Sequence, residues 1–248
     1  MSFICTTYCP EGIAMSADSR MTLNSQRQID PTLREVISVT SSNATQKITI
    51  LKKKFGISFC GDAAINNQPI MGFIVKFEQE IMTDEMEIDQ IPQLLLDYFK
   101  QINSTSNINF HLAGYRVENN LKVPYFYYIE TVRNSFDRRN IDPAKNILYA
   151  VTWSGEGEVM AKLFAQPSVI SQQGNQIATS PPLSILVNFF NLQDAIDFCL
   201  FATKLTIDTS IFLPRPRTVG HPIDVLIIEP REGIKWIQKK EYHGEKTD

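Results

Sequence analysis

The stretch GIAMSADSR, residues 12–20, decides the fold of this chain. It begins with six small or apolar residues, as a buried β-strand does, and then ends abruptly in Asp-Ser-Arg. A second apolar run covers residues 2–9, and the Pro-Glu-Gly sequence at 10–12 that separates the two runs is a turn signature. The pattern therefore predicts a β-hairpin at the start of the chain, with Asp18 at the outgoing end of its second strand.

Beyond residue 20 the chain contains blocks of predicted strands and blocks of predicted helices. A polar stretch to about Asn43 comes first and predicts a long irregular loop. The further predicted strands, each an apolar run bounded by turn signals, are 47–51, 55–61, 108–117, 123–131, 147–153, 223–229 and 234–238. The predicted helices, with apolar residues at helical spacing, are 65–82, 88–102, 155–165, 183–190 and 192–207.

The order of these elements predicts the fold class. Because the strands come mostly as hairpins, the sheets should be largely antiparallel. Because the helices come in blocks rather than alternating with strands, the order argues against a doubly wound parallel sheet. Two stacked sheets, each covered on its outside by a helix layer, would bury both helix blocks and all the strands. We therefore expect an α+β fold, a four-layer αββα sandwich, in a single domain over residues 1–248.

Composition excludes several classes of function. The chain has 43% hydrophobic and 21% charged residues and a net charge of -3, so it has no electrostatic footprint for nucleic acid or an anionic membrane. No apolar run reaches the roughly 18 residues that span a bilayer, and no basic segment precedes an apolar one at the N-terminus. We expect a cytoplasmic protein without membrane or nucleic-acid partners.

The cysteines and histidines argue against a metal or disulfide framework. No two of the four cysteines form a CxxC pair, and all lie in apolar segments, which predicts buried reduced thiols. His111, His221 and His243 lie far apart in sequence and have no acidic or cysteine neighbour at ligand spacing. We expect no metal and no organic cofactor.

The N-terminus carries residues suited to nucleophilic catalysis. Met1 is followed by a small residue, the context in which the initiator Met is normally removed, and removal would leave Ser2 as the first residue. An N-terminal Ser has a hydroxyl and a free α-amine on one residue. The amine has an unperturbed pKa of about 7.7–8.0, so near neutral pH it can act as general base for its own hydroxyl.

The stretch at 12–20 resembles the second-strand signature of proteasome β subunits, which belong to the N-terminal-nucleophile hydrolases. Counting back from Asp18 along that family's pattern places the nucleophile on Ser2 without a gap. The pair Thr6-Thr7 lies several residues too close to Asp18 for this role. The resemblance thus implies a proteasome-like hydrolase that uses Ser2 as nucleophile and Asp18 as part of its centre.

Three further segments carry the same resemblance. The run at 46–50 is similar to the strand that begins with the family's active-site lysine, which assigns that role to Lys47. A buried ammonium needs a carboxylate partner, which Asp18 would supply. The run at 57–62 resembles the strand that ends in the family's glycine, so the Gly61 N–H would face the oxyanion. The Trp-Ser-Gly sequence at 153–155 resembles the step whose serine, here Ser154, lies close to the terminal amine.

The C-terminal part is closer to one branch of the family. The segments 207–210 and 219–224 resemble those of Anbu, the bacterial ancestral β subunit, where a helix ends near an Asp and a Val-Gly-x-Pro-Ile-Asp run opens the last hairpin. On that resemblance Asp208 has the supporting aspartate role. The usual Asp-x-x-Ser-Gly spacing is not reproduced here.

Three functions remain open on these residues. The first is a peptidase or amidohydrolase acting on peptide or amide substrates. The second is a catalytically inactive structural subunit that keeps the fold and assembles with partners, and the third is an amidase for small molecules. The resemblance also implies a homo-oligomer, a ring or an open helical stack. Aromatic side chains on both faces of 123–130 and the apolar segment 183–190 offer surface for such contacts.

Overall fold

A computed structural model describes residues 2–164, 168–170, 176–178, 184–242 and 244. Two five-stranded antiparallel sheets dominate it. The strands, numbered in chain order, are β1 Phe3–Cys9, β2 Gly12–Ala17, β3 Met21–Gln28, β4 Arg34–Ser42, β5 Ile48–Leu51, β6 Phe55–Gly61, β7 Ala64–Ile65, β8 Gln68–Pro69, β9 Ile108–Glu118, β10 Leu121–Glu130, β11 Ser135–Arg138, β12 Ala150–Gly155, β13 Ser168–Ile170, β14 Gln176–Ala178, β15 Asp224–Glu229 and β16 Gly233–Gln238.

The two large sheets are built from different parts of the chain. The first has the strand order β12-β1-β2-β15-β16, so the N-terminal strand lies at its interior between β2 and β12. The second has the order β11-β10-β9-β6-β5. Three two-stranded ribbons, β3-β4, β7-β8 and β13-β14, complete the strands of the described residues. The predicted antiparallel pairing is confirmed throughout both sheets.

The helices of the described residues flank these sheets. They are α1 Ile70–Glu80, α2 Ile91–Ile102, α3 Glu158–Phe164 and α4 Leu192–Ser210, with 3-10 turns at Ile88–Gln90 and Val187–Phe189. The longest, α4, begins at a reciprocal cap in which Asn191 accepts from the Asp194 N–H and the Asp194 carboxylate accepts from the Asn191 N–H. None of the helices in the described part of the chain has both the length and the apolarity needed to cross a bilayer.

The apolar core has three parts, which follow from strand alternation. On β1, Ile4 and Tyr8 point into a cluster that contains residues of both large sheets, so the sheets share one buried interface. The alternate residues Phe3 and Cys5 point the other way, against α4. A third cluster lies between the second sheet and helices α1 and α2. All four cysteines are buried and free, as predicted.

Several predicted boundaries need correction. The polar stretch 21–43 is not an irregular loop but the β3-β4 ribbon, whose apolar side chains Leu23, Ile37 and Val39 are exposed. Among the ribbon's described side chains only Thr22 is buried, so they do not show the alternation that identifies a half-buried strand. Helix α1 starts at Ile70 rather than 65, since a turn and the short ribbon β7-β8 precede it. Within 184–190 the structure has only the 3-10 turn instead of the predicted helix, and residue 183 lies outside the described residues.

Candidate active site

The fully buried Asp18 carboxylate is the centre of a hydrogen-bond cluster. Its Oδ1 accepts from the Phe3 N–H at 2.9 Å and from the Lys47 ammonium at 2.8 Å. Its Oδ2 accepts from the N–H groups of Arg20 and Gly220, both at 3.0 Å. These four donors come from the first strand, the Asp18 turn, the residue before β5 and the segment before β15. The Asp18 carboxylate therefore connects four separate segments of the chain by hydrogen bonds.

Lys47 is the charged partner of Asp18, and its side chain is only 3% exposed. Its ammonium also donates to the Arg20 carbonyl oxygen, while its own carbonyl accepts from the Phe59 N–H at 3.0 Å. Burial lowers the pKa of Lys47, and the charge of Asp18 partly offsets this effect. The structure thus brings together two of the sequence-predicted site residues as a buried ion pair.

Ser2 lies at the start of β1, and its main chain is held from both sides. Its carbonyl oxygen accepts from the Glu156 N–H at 2.8 Å, and the next residue, Phe3, is bonded to Asp18. Gly155 has a φ of +90°, and a Cβ at this position would lie 1.7 Å from the Ser2 carbonyl oxygen. Any side chain at Gly155 would therefore displace Ser2. Ser2 itself is buried.

Gly61 is the last residue of β6 and lies close to Gly155. A Cβ built on Gly155 would lie 3.3 Å from the Cβ of Cys60, the residue before Gly61. Gly61 has a φ of +109°, and a Cβ there would lie 2.1 Å from the Asn107 carbonyl oxygen, so only glycine fits. An open cleft of about 370 Å³ starts at this point. Its lining residues are Thr22, Leu23, Gly61, Asp62, Ala63, Ala64, Asn66 and Asn67.

Ser154 lies opposite Ile4 in the β1-β12 ladder, one residue before Gly155. Its Oγ lies 2.8 Å from Nε2 of His111, and Nδ1 of His111 lies 2.9 Å from Oγ1 of Thr6. All three side chains are buried. From sequence, His111 was considered only as a possible metal ligand, and its contacts with Ser154 and Thr6 were not predicted. Its place in β9 between the apolar residues Phe110 and Leu112, which point to the other face, is the signal that could have found it.

The overall fold can be compared with solved structures. The chain superposes on an Anbu (Gly-1) mutant from Hyphomicrobium sp. strain MC1 with a TM-score of 0.56 and 13% identity, over 96% of this chain and 87% of that one. It superposes on Anbu (ancestral beta-subunit) from Yersinia bercovieri with a TM-score of 0.57 and 13% identity, over 95% and 86% of the two chains. The chain has the fold of Anbu. No family model matches the chain, and no curated protein sequence does.

The relationship to the Anbu branch that the motifs predicted is thus supported by the fold, although the sequences have diverged to 13% identity. At that identity the comparison establishes architecture, and the roles of individual side chains have to come from geometry. Two members of the predicted set, Asp18 and Lys47, touch each other in this Anbu fold. Ser2 directly precedes β1, Gly61 is the last residue of β6, and Ser154 is the second-last residue of β12.

Asp208 is placed differently from the rest of the predicted set. It lies near the end of α4, and its side chain is 47% exposed. Its carboxylate contacts the Lys204 ammonium at 3.3 Å and lies 3.9 Å from Nε2 of His221. Among the described residues it makes no hydrogen bond to Asp18, Lys47 or Ser154. Its supporting role therefore stays a prediction.

A second buried ion pair lies beside Asp18 and was missed by sequence analysis. Asp224 opens β15 and lies opposite Ala17, the residue before Asp18. Its carboxylate accepts from the Lys240 ammonium and, at 2.8 Å, from the Lys240 N–H. Both side chains are at most 5% exposed. Burial is the largest cause that lowers the pKa of Lys47, and the positive charge of Lys240 is a smaller cause in the same direction.

The two excluded threonines and the possible metal ligands can also be placed in the structure. Thr6 and Thr7, excluded as nucleophiles, are both buried inside β1, where Thr7 Oγ1 lies 3.2 Å from the Cys199 sulfur. Within the described residues, no group of three or more His, Cys, Asp or Glu side chains is placed to hold a metal ion. The functional groups that the structure brings together here are the Lys47 ammonium, the Asp18 carboxylate and nearby hydroxyl groups.

His111 should make stability depend on pH in the acidic range. Burial, and secondarily the charge of Arg139, lowers its pKa from 6.5 to about 3. Between these values the unfolded chain binds a proton that the folded chain does not, so stability falls as pH falls below 6.5, by up to about 1.4 kcal/mol per pH unit. Urea unfolding of wild type and His111→Gln between pH 7 and 4 measures this. We expect the free energy of unfolding of His111→Gln to change less with pH than that of the wild type. Parallel pH dependences of the two proteins would contradict the lowered pKa of His111.

Proposed function

We propose that this protein is an N-terminal-nucleophile hydrolase of the proteasome-like type, a single four-layer αββα sandwich that cleaves peptide or amide bonds. After removal of Met1, Ser2 is the nucleophile and its α-amine the general base. The proposal is supported by one observation above all. A buried ion pair, Asp18 with Lys47, lies at the start of the strand that Ser2 opens.

The reaction follows from these residues. The α-amine accepts the proton of the Ser2 hydroxyl, and the Ser2 oxygen attacks the substrate carbonyl carbon. The nearby Lys47 charge favours the developing alkoxide, and Asp18 keeps that ammonium in place. The Gly61 N–H is proposed to stabilise the oxyanion of the tetrahedral intermediate. The α-ammonium then donates its proton to the leaving nitrogen as the C–N bond breaks, which gives the acyl-enzyme and a free amine product. Water hydrolyses the acyl-enzyme, with the α-amine accepting its proton and returning it to the Ser2 oxygen.

The cleft beside Gly61 is the proposed substrate site. Its walls carry the small side chains of Ala63 and Ala64 and one carboxylate, that of Asp62. Asp62 Oδ2 accepts from the Asn107 N–H at 2.7 Å, which holds the carboxylate near the cleft rim. A cleft of this volume takes a short peptide segment rather than a folded protein. The single negative charge favours neutral or basic side chains next to the cleaved bond.

The direct test is covalent labelling by a β-lactone or epoxyketone probe directed at N-terminal nucleophiles. We expect one equivalent of probe per chain, mapped by mass spectrometry to Ser2. An epoxyketone is informative because it requires both a hydroxyl and a free α-amine on the same residue. Labelling elsewhere, or none by either probe, would contradict the proposed function.

A second candidate is a catalytically inactive subunit of the same fold. The position of Asp208 supports it, because that carboxylate contacts Lys204 rather than the Asp18 cluster. The intact mass of purified protein separates the two candidates, since a retained Met1 blocks the amine that the hydrolase needs. Loss of Met1 together with labelling favours the enzyme.

We further propose that the protein is a homo-oligomer. The strand 123–130 no longer supports this, because Tyr125, Phe126 and Tyr127 are buried within the fold. Large exposed apolar side chains lie instead on α4 and on the turns at its two ends: Leu186, Phe189, Phe201, Ile211 and Phe212. Exposed surface of this kind marks protein interfaces.

Light scattering at micromolar concentration tests the assembly. We expect a mass well above the 28.2 kDa of one chain. Replacing Phe189 and Phe212, which are 83% and 84% exposed, with Ser should reduce that mass without loss of secondary structure. A species that stays at the mass of one chain over a tenfold concentration range would contradict the proposal.

A further inference from the structure

The buried histidine His111 connects the sheet that carries Ser2 to the sheet that carries Gly61. Its ring lies on β9 in the second sheet, whereas its two hydrogen-bond partners, Thr6 and Ser154, lie on β1 and β12 in the first. Aromatic rings enclose it, with Phe126 at 5.2 Å and Tyr128 at 5.9 Å between ring centroids. Water therefore has little access to either nitrogen.

We propose that His111 is a positioning residue for Ser154, fixing the direction in which the Ser154 hydroxyl forms hydrogen bonds beside Ser2. The inference rests on the function proposed above. The three-residue chain from Thr6 through His111 to Ser154 ends next to Gly155, which contacts the Ser2 carbonyl. Hydrogen-bond direction is transmitted along this chain because each of its members has only one hydrogen to donate.

The protonation state of His111 restricts this direction to two alternatives, one for each neutral tautomer. Burial lowers its pKa to about 3, so near neutral pH the ring is neutral and has one donor and one acceptor nitrogen. We assign the hydrogen to Nδ1, which donates to Thr6 Oγ1. Nε2 then accepts the hydrogen of Ser154, and the Ser154 oxygen can only accept, from the Tyr128 hydroxyl that also contacts it and from a donor beside Ser2.

This arrangement suits the proposed proton transfer. When Ser2 attacks, its O–H bond breaks, a bond to the substrate carbon forms, and the α-amine becomes an ammonium. An ammonium has only donors, so a neighbouring oxygen that only accepts stabilises it. Ser154 precedes Gly155, which lies opposite Phe3 in the ladder, and with its hydrogen on Nε2 its oxygen is the acceptor that this role assigns to the α-amine. The assigned tautomer therefore raises the basicity of the α-amine.

Two variants test the role by kinetics. His111→Phe keeps a planar ring but removes both nitrogens, and we expect it to lower the rate of acylation by a β-lactone about 10- to 100-fold. It should not alter the noncovalent affinity for the probe. The acidic limb of the pH–rate profile should move to lower pH, because the amine loses its acceptor. His111→Gln, which can still bond Ser154, should recover part of the rate.

Ser154 and Ser58 form a matched pair of controls. Ser154→Ala should lower the rate as His111→Phe does, and the double variant should be no slower than either single one. Ser58 is also buried, lies opposite His111 in the β6-β9 ladder, and its hydroxyl has no partner among the described residues. Ser58→Ala should therefore label at the wild-type rate.

Nitrogen-15 NMR of the ring provides a readout that does not need catalysis. We expect the Nδ1–H tautomer from pH 7 to 4, with a shift at Nε2 in Ser154→Ala but not in Ser58→Ala. The opposite tautomer, or a folded His111→Phe that labels at the wild-type rate, would overturn this role alone. If His111→Phe does not fold, His111→Gln and the NMR result decide. A wild-type protein that is never labelled would overturn the proposed function and this role with it.

Discussion

Replacing Ser2 with alanine is expected to abolish covalent labelling and any peptidase activity. The substitution removes the hydroxyl that would form the acyl-enzyme but leaves the α-amine and the main-chain contacts with Glu156. Because the side chain is small, the fold should be unchanged by circular dichroism. Mass spectrometry of the protein after incubation with the probe measures the effect.

Ser2→Thr is the matched control for this experiment. It restores a hydroxyl next to the same amine, so labelling should persist at a measurable rate. Both replacements are small residues, and Met1 should be removed from both. Full activity of Ser2→Ala on a peptide panel would refute Ser2 as the nucleophile.

Asp18 and Lys47 are expected to behave as one unit. Lys47→Met leaves a buried carboxylate without its cation, and Asp18→Asn leaves a buried ammonium without its anion. Breaking such a pair costs about 3–5 kcal/mol in stability. The acylation rate should fall by several orders of magnitude in either variant, and the double variant should lose little more than the worse single one.

An exposed pair serves as the comparison. Lys162 lies 2.6 Å from Glu158 on the surface of α3, where an ion pair contributes at most about 1 kcal/mol. Lys162→Met should leave both the rate and the unfolding midpoint close to wild type. If the losses at Asp18 and Lys47 simply add in the double-mutant cycle, the two side chains do not act together.

The parts of the fold that depend on local pattern could be predicted from sequence. The first hairpin, the strand that follows Lys47 and the two helices after it have strong periodicity within a short window. The β3-β4 ribbon could not be identified in this way. Of its side chains that the structure describes, only Thr22 is buried, so they lack the apolar–polar alternation that a buried face imposes on the large sheets.

The site was predictable only where short motifs carry it. Asp18 lies in the motif at 12–20, and Lys47 begins a recognisable strand. His111 contacts Thr6 and Ser154, which are 105 and 43 residues away in the chain, and no local pattern reports such a contact. The same holds for Lys240, whose partner Asp224 comes from the preceding hairpin.

The Asp18 cluster includes residues that are synthesised long after Asp18 itself, and this has a consequence during translation. A ribosome releases Ser2, Asp18 and Lys47 early, but the Gly220 N–H that completes the Asp18 cluster emerges much later. Lys240, which neutralises the neighbouring Asp224, emerges later still. A nascent chain thus carries its proposed nucleophile without the surroundings that activate it. On the proposed function, Ser2 therefore stays inactive until the segments that carry Gly220 and Lys240 have left the ribosome.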